Sequence, residues 1–178
     1  MAKELKIDLS YLPVINFAMQ QNHVPVIREI SLKNTGDELI TDITLTVDFD
    51  PQFAAEYTTK IDRIIPGGEE RISVVPIVIS TDFLSNLTER ISGTIKLTAR
   101  ASEDILAECQ NEISILTYNE WCGESVMPAM IAAFCTPNHP GVIQINKRAS
   151  EILNKWTGDP SLNAYQTRNH NRDRTSVV

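Results

Sequence analysis

Between residues 39 and 49 the chain alternates with a period of two. Leu39, Thr41, Ile43, Leu45, Val47 and Phe49 fall on one side, and Ile40, Asp42, Thr44, Thr46 and Asp48 on the other. Successive side chains of an extended chain point to opposite faces. A segment with one apolar and one mostly polar side is therefore a half-buried antiparallel strand. Such a strand needs a second layer to cover its apolar side, which excludes an all-helical fold for this part of the chain.

The same alternation recurs on both sides of this segment. Leu5, Ile7 and Leu9 alternate with Lys6, Asp8 and Ser10, and Ile15, Phe17 and Met19 alternate again after Pro13. The turn signal Asn34-Thr35-Gly36-Asp37 predicts a hairpin joining a strand over 26–33 to the strand over 39–49. Pro66-Gly67-Gly68 separates a run ending Ile61, Ile64 and Ile65 from a run over 71–80, with one helical turn expected over 81–89. Within 91–99, Ile91, Gly93, Ile95 and Leu97 share a face. Over 105–116, Ala107, Cys109, Ile113 and Ile115 face in and Glu108, Gln110, Glu112 and Ser114 face out. Pro25 and Pro76 lie inside strand-like runs, and each marks an edge, a bulge or a strand start because proline cannot donate to a ladder. Seven or eight short strands predict a mainly β domain over 1–116, an Ig-like or fibronectin-III-like antiparallel sandwich.

After Leu116 the period changes. Residues 117–123 (TYNEWCG) form a polar and aromatic bridge. Ser125 is placed to cap a helix over 126–134, with Pro128 in its first turn and Thr136-Pro137-Asn138 as its stop. A second helix is predicted over 140–157. Val142, Ile145, Ala149, Ile152, Leu153 and Trp156 fall on one stripe of it, and Gly158 and Pro160 end it. Together these give a C-terminal α-helical hairpin over 117–160, followed by a polar tail over 161–178 that is expected to be frayed or disordered, or the start of a helix.

Residues 1–116 carry ten Lys and Arg against eighteen Asp and Glu, a balance of −8, whereas residues 117–178 are at +1. An acidic sandwich repels phosphate, so direct nucleic-acid binding by it is not expected. Three cysteines without paired spacing fit a reducing compartment, and the first residues carry no apolar leader. The expected location is cytoplasmic, with no membrane span.

No chemistry-bearing motif survives inspection. Cys135 and His139 are four apart but Pro137 interrupts any helix between them, so a hydrolase built on this pair is the weakest reading. Pro66-Gly67-Gly68 lacks the Lys-Ser/Thr of a phosphate loop, and Asp48, Asp50 and Asp62 do not make a calcium loop. No catalytic residue, metal ligand or cofactor is expected, and this chain by itself is not expected to be an enzyme. Trp121, Phe134, Ile145 and Trp156 are the candidate interface residues, because exposed aromatic and aliphatic anchors dominate binding energy.

Several stretches are familiar in combination: INFAMQQNHVPV over 15–26, LSNLTER over 84–90, Asn119-Glu120-Trp121 with Gly123, Ala132-Ala133-Phe134, Pro137-Asn138-His139-Pro140, and Tyr165-Gln166-Thr167-Arg168. In that order the chain resembles the N-terminal region of large bacterial superfamily-1 helicase-related proteins. There a β-sandwich and short helices precede transglutaminase-like and helicase segments. The resemblance covers most of the chain. It carries over no catalytic or phosphate-binding residue, since those motifs lie downstream. Cys122 stands where a second glycine is expected, and residues 172–178 depart from the pattern, so the chain is expected to be a piece of a longer protein or a truncated reading frame. The resemblance implies a non-catalytic interaction or scaffolding module whose partners are the downstream domains of a parent protein or another protein. The alternative is a free-standing sandwich that binds a protein, peptide or sugar.

Overall fold

The computed structural model describes residues 4–123, 126–135 and 138–162. Its strands are β1 (Leu5–Tyr11), β2 (Val14–Ile15), β3 (Ile27–Asn34), β4 (Ile40–Asp50), β5 (Tyr57–Ile64), β6 (Glu69–Ile72), β7 (Ile91–Ala101) and β8 (Asp104–Ile115). Two short helices, α1 (Phe17–Gln21) and α2 (Thr81–Asn86), interrupt them. A 3-10 helix over Pro128–Phe134 and the long helix α3 (Pro140–Thr157) follow. The expected cap at Ser125, the stop at Thr136-Pro137 and the tail from residue 163 onward, including Tyr165, lie outside the described residues.

The strands form two sheets, β1-β3-β6 and β2-β8-β7-β4-β5. All pairings are antiparallel except that of the two-residue β2 with β8. Ile30 and Leu32 of the smaller sheet share one core with Ile43, Leu45, Val47, Ile95 and Leu97 of the larger. This mainly β sandwich with a helical C-terminal segment is the architecture that the alternation predicts. Gly93 has a specific reason to be glycine. A Cβ there would sit 3.1 Å from the Asp50 carbonyl oxygen and 3.0 Å from Ile115 Cδ1.

The chain divides into two compact units, Met1–Phe134 and Cys135–Val178. The boundary expected at 116/117 falls inside the first of them. The helix expected over 126–134 is the 3-10 helix, opened by Pro128, and its Met130 is buried with Leu12 and Met19 in the first unit. α3 belongs to the second unit.

Four local expectations change. β3 and β4 are not a hairpin: they lie in different sheets. The fully buried Asn34 makes the crossing. Its Nδ2 donates to the carbonyls of Glu38 at 2.7 Å and Ile64 at 3.0 Å, and its Oδ1 accepts the Gly36 N–H at 3.1 Å. In β4 the alternation changes phase at Asp42, whose φ is 55°. Ile40 and Ile43 are therefore both buried, and Leu39 is 47% exposed. The strand expected through Ile15, Phe17 and Met19 ends after two residues, because Asn16 caps α1 with its side chain on the Met19 N–H at 2.8 Å. The run over 71–80 pairs with β3 only as far as Ile72, and Ile79 then makes an isolated antiparallel bridge to Ala54. Between them Ser73 to Val78 run outside any strand, with Pro76 unable to donate.

Candidate interaction surface

The four candidate interface residues fall into two pairs, Trp121 and Phe134 in the first unit and Ile145 and Trp156 in the second. The segment that carries Trp121 is fastened on both sides. The Asn16 Nδ2 donates to the Glu120 carbonyl at 2.8 Å, the Arg90 guanidinium is ion-paired with the Glu120 carboxylate, and the Glu120 N–H donates to the Thr117 carbonyl. Trp121 is half-buried against Leu12, Met19 and Met130, and its indole Nε1 is buried with no hydrogen-bond acceptor. Phe134 is half-buried at the end of the 3-10 helix. Trp121 thus serves the small core of the first unit.

α3 is closed by its own sequence at both ends. The His139 Nδ1 accepts the Gly141 N–H at 3.1 Å, Pro140 stands in the first turn, and Gly158 ends the helix in the left-handed conformation at φ 73°. The Ser150 Oγ donates to the Pro160 carbonyl at 2.7 Å, folding the chain after the helix back along it. Val142, Ala149 and Leu153 of the stripe are half-buried. Ile152 is exposed, Ile145 is 69% exposed and Trp156 is 81% exposed. The spacing 145, 152, 156 keeps these three on one side of the helix. Arg148 and Lys155 border them and Lys147 lies on the opposite side, against a single acid, Glu151, so this helix is basic where the sandwich is acidic.

The Cys135–His139 pair gains nothing from the geometry. His139 Nδ1 is committed to the cap, and Cys135 is exposed. None of the three cysteines is disulfide-bonded. Among the described residues no group of three His, Cys, Asp and Glu side chains is placed to share a metal ion. No helix of the described residues is long and apolar enough to cross a membrane.

One concave feature lies where the sequence marked two prolines. Val24, Pro25 and Val26 and the segment Val75, Pro76, Ile77, Val78 and Ile79 line a groove of about 340 Å³, together with Gln20 and His23. β6 leaves β3 at the Ile30–Ile72 pair, so β3 residues 27–29 carry a paired neighbour on the β1 side only. The periodicity missed this groove because 71–80 reads as one strand. The signal that could have revealed it is Pro76, which cannot donate to a ladder and lies in the groove wall.

No family model matches this chain, and no curated protein does. Among solved structures, the chain is similar to the CARDB domain of a Pyrococcus furiosus protein crystallised in complex with di-metal ions. The TM-score is 0.41 at 11% identity, over 65% of this chain and 94% of that one.

Proposed function

We propose that the chain is a non-catalytic, cytoplasmic N-terminal interaction module of a larger helicase-related protein, and that it docks to the downstream domains of its parent through α3. The observation that carries this reading is the side of α3 bearing Ile145, Ile152 and Trp156. A basic-bordered apolar stripe with an exposed tryptophan at its end has the composition of a binding anchor. The resemblance in the sequence supplies the class of parent. The test is a binding measurement between this chain and the separately purified downstream region. Trp156→Glu and Ile145→Glu should each weaken docking by more than about tenfold, a loss of roughly 1.4 kcal/mol or more. Undiminished binding by both variants would reject α3 as the surface.

A second reading is a free-standing peptide-binding sandwich, and the groove between 24–26 and 75–79 favours it. Its walls are aliphatic, with no aromatic platform, so an extended apolar peptide suits it better than a sugar. Val78→Glu, at an exposed position of the groove wall, should abolish capture of such a peptide without affecting docking through α3.

A further inference from the structure

The smaller sheet has an edge that its own chain begins to cover and then leaves. β6 pairs with β3 as far as Ile30–Ile72, and β3 over 27–29 has a paired neighbour on the β1 side only. Continued in register, the same ladder would set Pro76 against Val26 and Ile77 against Pro25. Neither proline has an N–H to give, so this ladder could not continue intact. Among the described residues, no other segment forms a backbone hydrogen bond with the open side of Arg28 or Glu29. An open edge of this kind is a template for another strand.

The groove beside that edge has walls that are anchored independently. At the start of one wall, His23 closes α1 in the left-handed conformation at φ 54°. Its N–H donates to the Gln20 carbonyl at 3.1 Å, and the Val24 N–H donates to the Met19 carbonyl at 3.0 Å. That turn, of the kind glycine usually closes, fixes the direction in which 24–26 run into β3. In the other wall, the Ala55 N–H donates to the Val78 carbonyl and the Ser80 N–H to the Phe53 carbonyl, each at 2.8 Å. These two bonds flank the Ala54–Ile79 bridge. The Gln20 Nε2 donates to the Thr81 Oγ1 at 3.0 Å and ties α1 to the start of α2. Walls that are already fixed lose little freedom when a ligand enters. The run from Ile72 to Thr81 contains no charged residue, and its Val74 and Val78 are exposed.

We infer that this place is filled by strand addition. An extended segment of another protein pairs with the open edge of β3 over 27–29 and sets an aliphatic side chain in the groove, with Lys or Arg on either side of its apolar stretch. This mode rests on the peptide-binding reading given above, and adds to it the ligand's backbone geometry and charge. Main-chain pairing supplies the affinity in strand addition, and the groove selects every second side chain. The charge follows from the unit itself. Met1–Phe134 carries ten Lys and Arg against twenty Asp and Glu, a balance of −10. Beside the walls in sequence stand Glu29 in β3, Glu56 after Ala55 and Asp82 after Thr81. Arg71 is ion-paired with Glu69, which leaves Arg28 to oppose these acids. A basic-flanked segment is drawn to such a surface and an acidic one is repelled.

The probe is a fluorescein-labelled peptide, Lys-Lys-Val-Thr-Val-Thr-Val-Lys-Lys, titrated with the full chain and followed by fluorescence anisotropy. It should bind, and Val78→Glu should weaken binding by more than about tenfold. Val78 is exposed, so that substitution leaves the fold intact. Two further peptides carry N-methyl groups on the valine amides alone or on the threonine amides alone. Alternate amides of a strand point to opposite edges, so one set should cost more than about tenfold in affinity and the other less than about twofold. Replacing the lysines of the peptide by glutamates should abolish binding, and added salt should weaken the lysine peptide. If no peptide binds, or if Val78→Glu binds as well as the parent chain, the peptide-binding reading fails and strand addition fails with it. If Val78→Glu blocks binding but the two methylated peptides bind alike, the groove still takes a peptide and strand addition is overturned. Equal binding of the glutamate and lysine peptides overturns the basic-flanked ligand.

Discussion

Asn16 and Glu120 are 104 residues apart in the chain and joined by one hydrogen bond, from the Asn16 Nδ2 to the Glu120 carbonyl at 2.8 Å. The same Asn16 side chain accepts the Met19 N–H with its oxygen. One buried amide thus starts α1 and anchors the segment that leaves the last strand. That segment carries Trp121 and Cys122, so the small core of the first unit hangs on this residue.

Asn16→Ala should cost about 2–4 kcal/mol, combining a lost helix cap with a buried carbonyl left unpaired. Asn16→Asp keeps the acceptor for Met19 but presents a second oxygen to the Glu120 carbonyl, so the conservative change should recover little. Urea denaturation of the three proteins measures this. A loss below about 0.5 kcal/mol for Asn16→Ala, the range of ordinary surface changes, would show that the clamp contributes nothing.

The period of two in 39–49, 91–99 and 105–116 was enough to identify these three strands, though not to assign strands to sheets, because each has a core on one side and water on the other. Where a single residue changes the backbone, the period misleads. Asp42 reverses the alternation through its left-handed φ and exposes Leu39, which no count of apolar positions can foresee. Asn16 was readable in principle, since asparagine before Ala18, Met19, Gln20 and Gln21 is a cap followed by helix formers. The flanking Ile15 and Phe17 hid it. The stripe of α3 was legible from 3.6-residue spacing. The exposure of Ile145 and Trp156 was not, because exposure depends on what else reaches the helix. The small core around Leu12, Met19 and Met130 was invisible, since its members come from distant parts of the chain and meet only through the fold.

Asn34 should behave as the joint between the two sheets. Its amide satisfies the Glu38 and Ile64 carbonyls and its oxygen the Gly36 N–H. Asn34→Asp retains the acceptor, removes both donated bonds and places a charge in a fully buried position. The expected loss is about 3–5 kcal/mol, comparable to other uncompensated buried charges. Thermal unfolding of Asn34→Asp and Asn34→Ala separates the two effects, and the aspartate should be the less stable.

Glu69 gives the fold a pH dependence. Its carboxyl titrates below the usual glutamate value of 4.5, chiefly through the hydrogen bond from Arg71 and then that from Ser31. A carboxylate whose folded value is depressed stabilises the fold above its unfolded value, and that contribution is lost as pH falls through the folded one. Stability followed from about pH 6 to about pH 3 should therefore decline less steeply in Glu69→Gln than in the parent chain. The pair is solvent-exposed, so the difference should shrink at high salt. Parallel profiles would mean that the pair does not form in solution.

The two units should answer substitution differently. Leu97 is fully buried between the sheets, and Leu97→Ala should cost about 2–5 kcal/mol because the removed methyl groups leave a cavity in close-packed surroundings. Trp156 is a larger side chain, but it is 81% exposed. Trp156→Ala should therefore change stability by no more than about 0.5 kcal/mol, despite deleting more apolar surface than the leucine substitution. The comparison discriminates because side-chain size alone predicts the opposite order. If Trp156→Ala destabilises the chain as much as Leu97→Ala, the α3 stripe is already covered within the free protein, and Trp156 is core rather than anchor. If the change is silent in denaturation and harmful only to docking, the apolar surface on α3 is held for a partner.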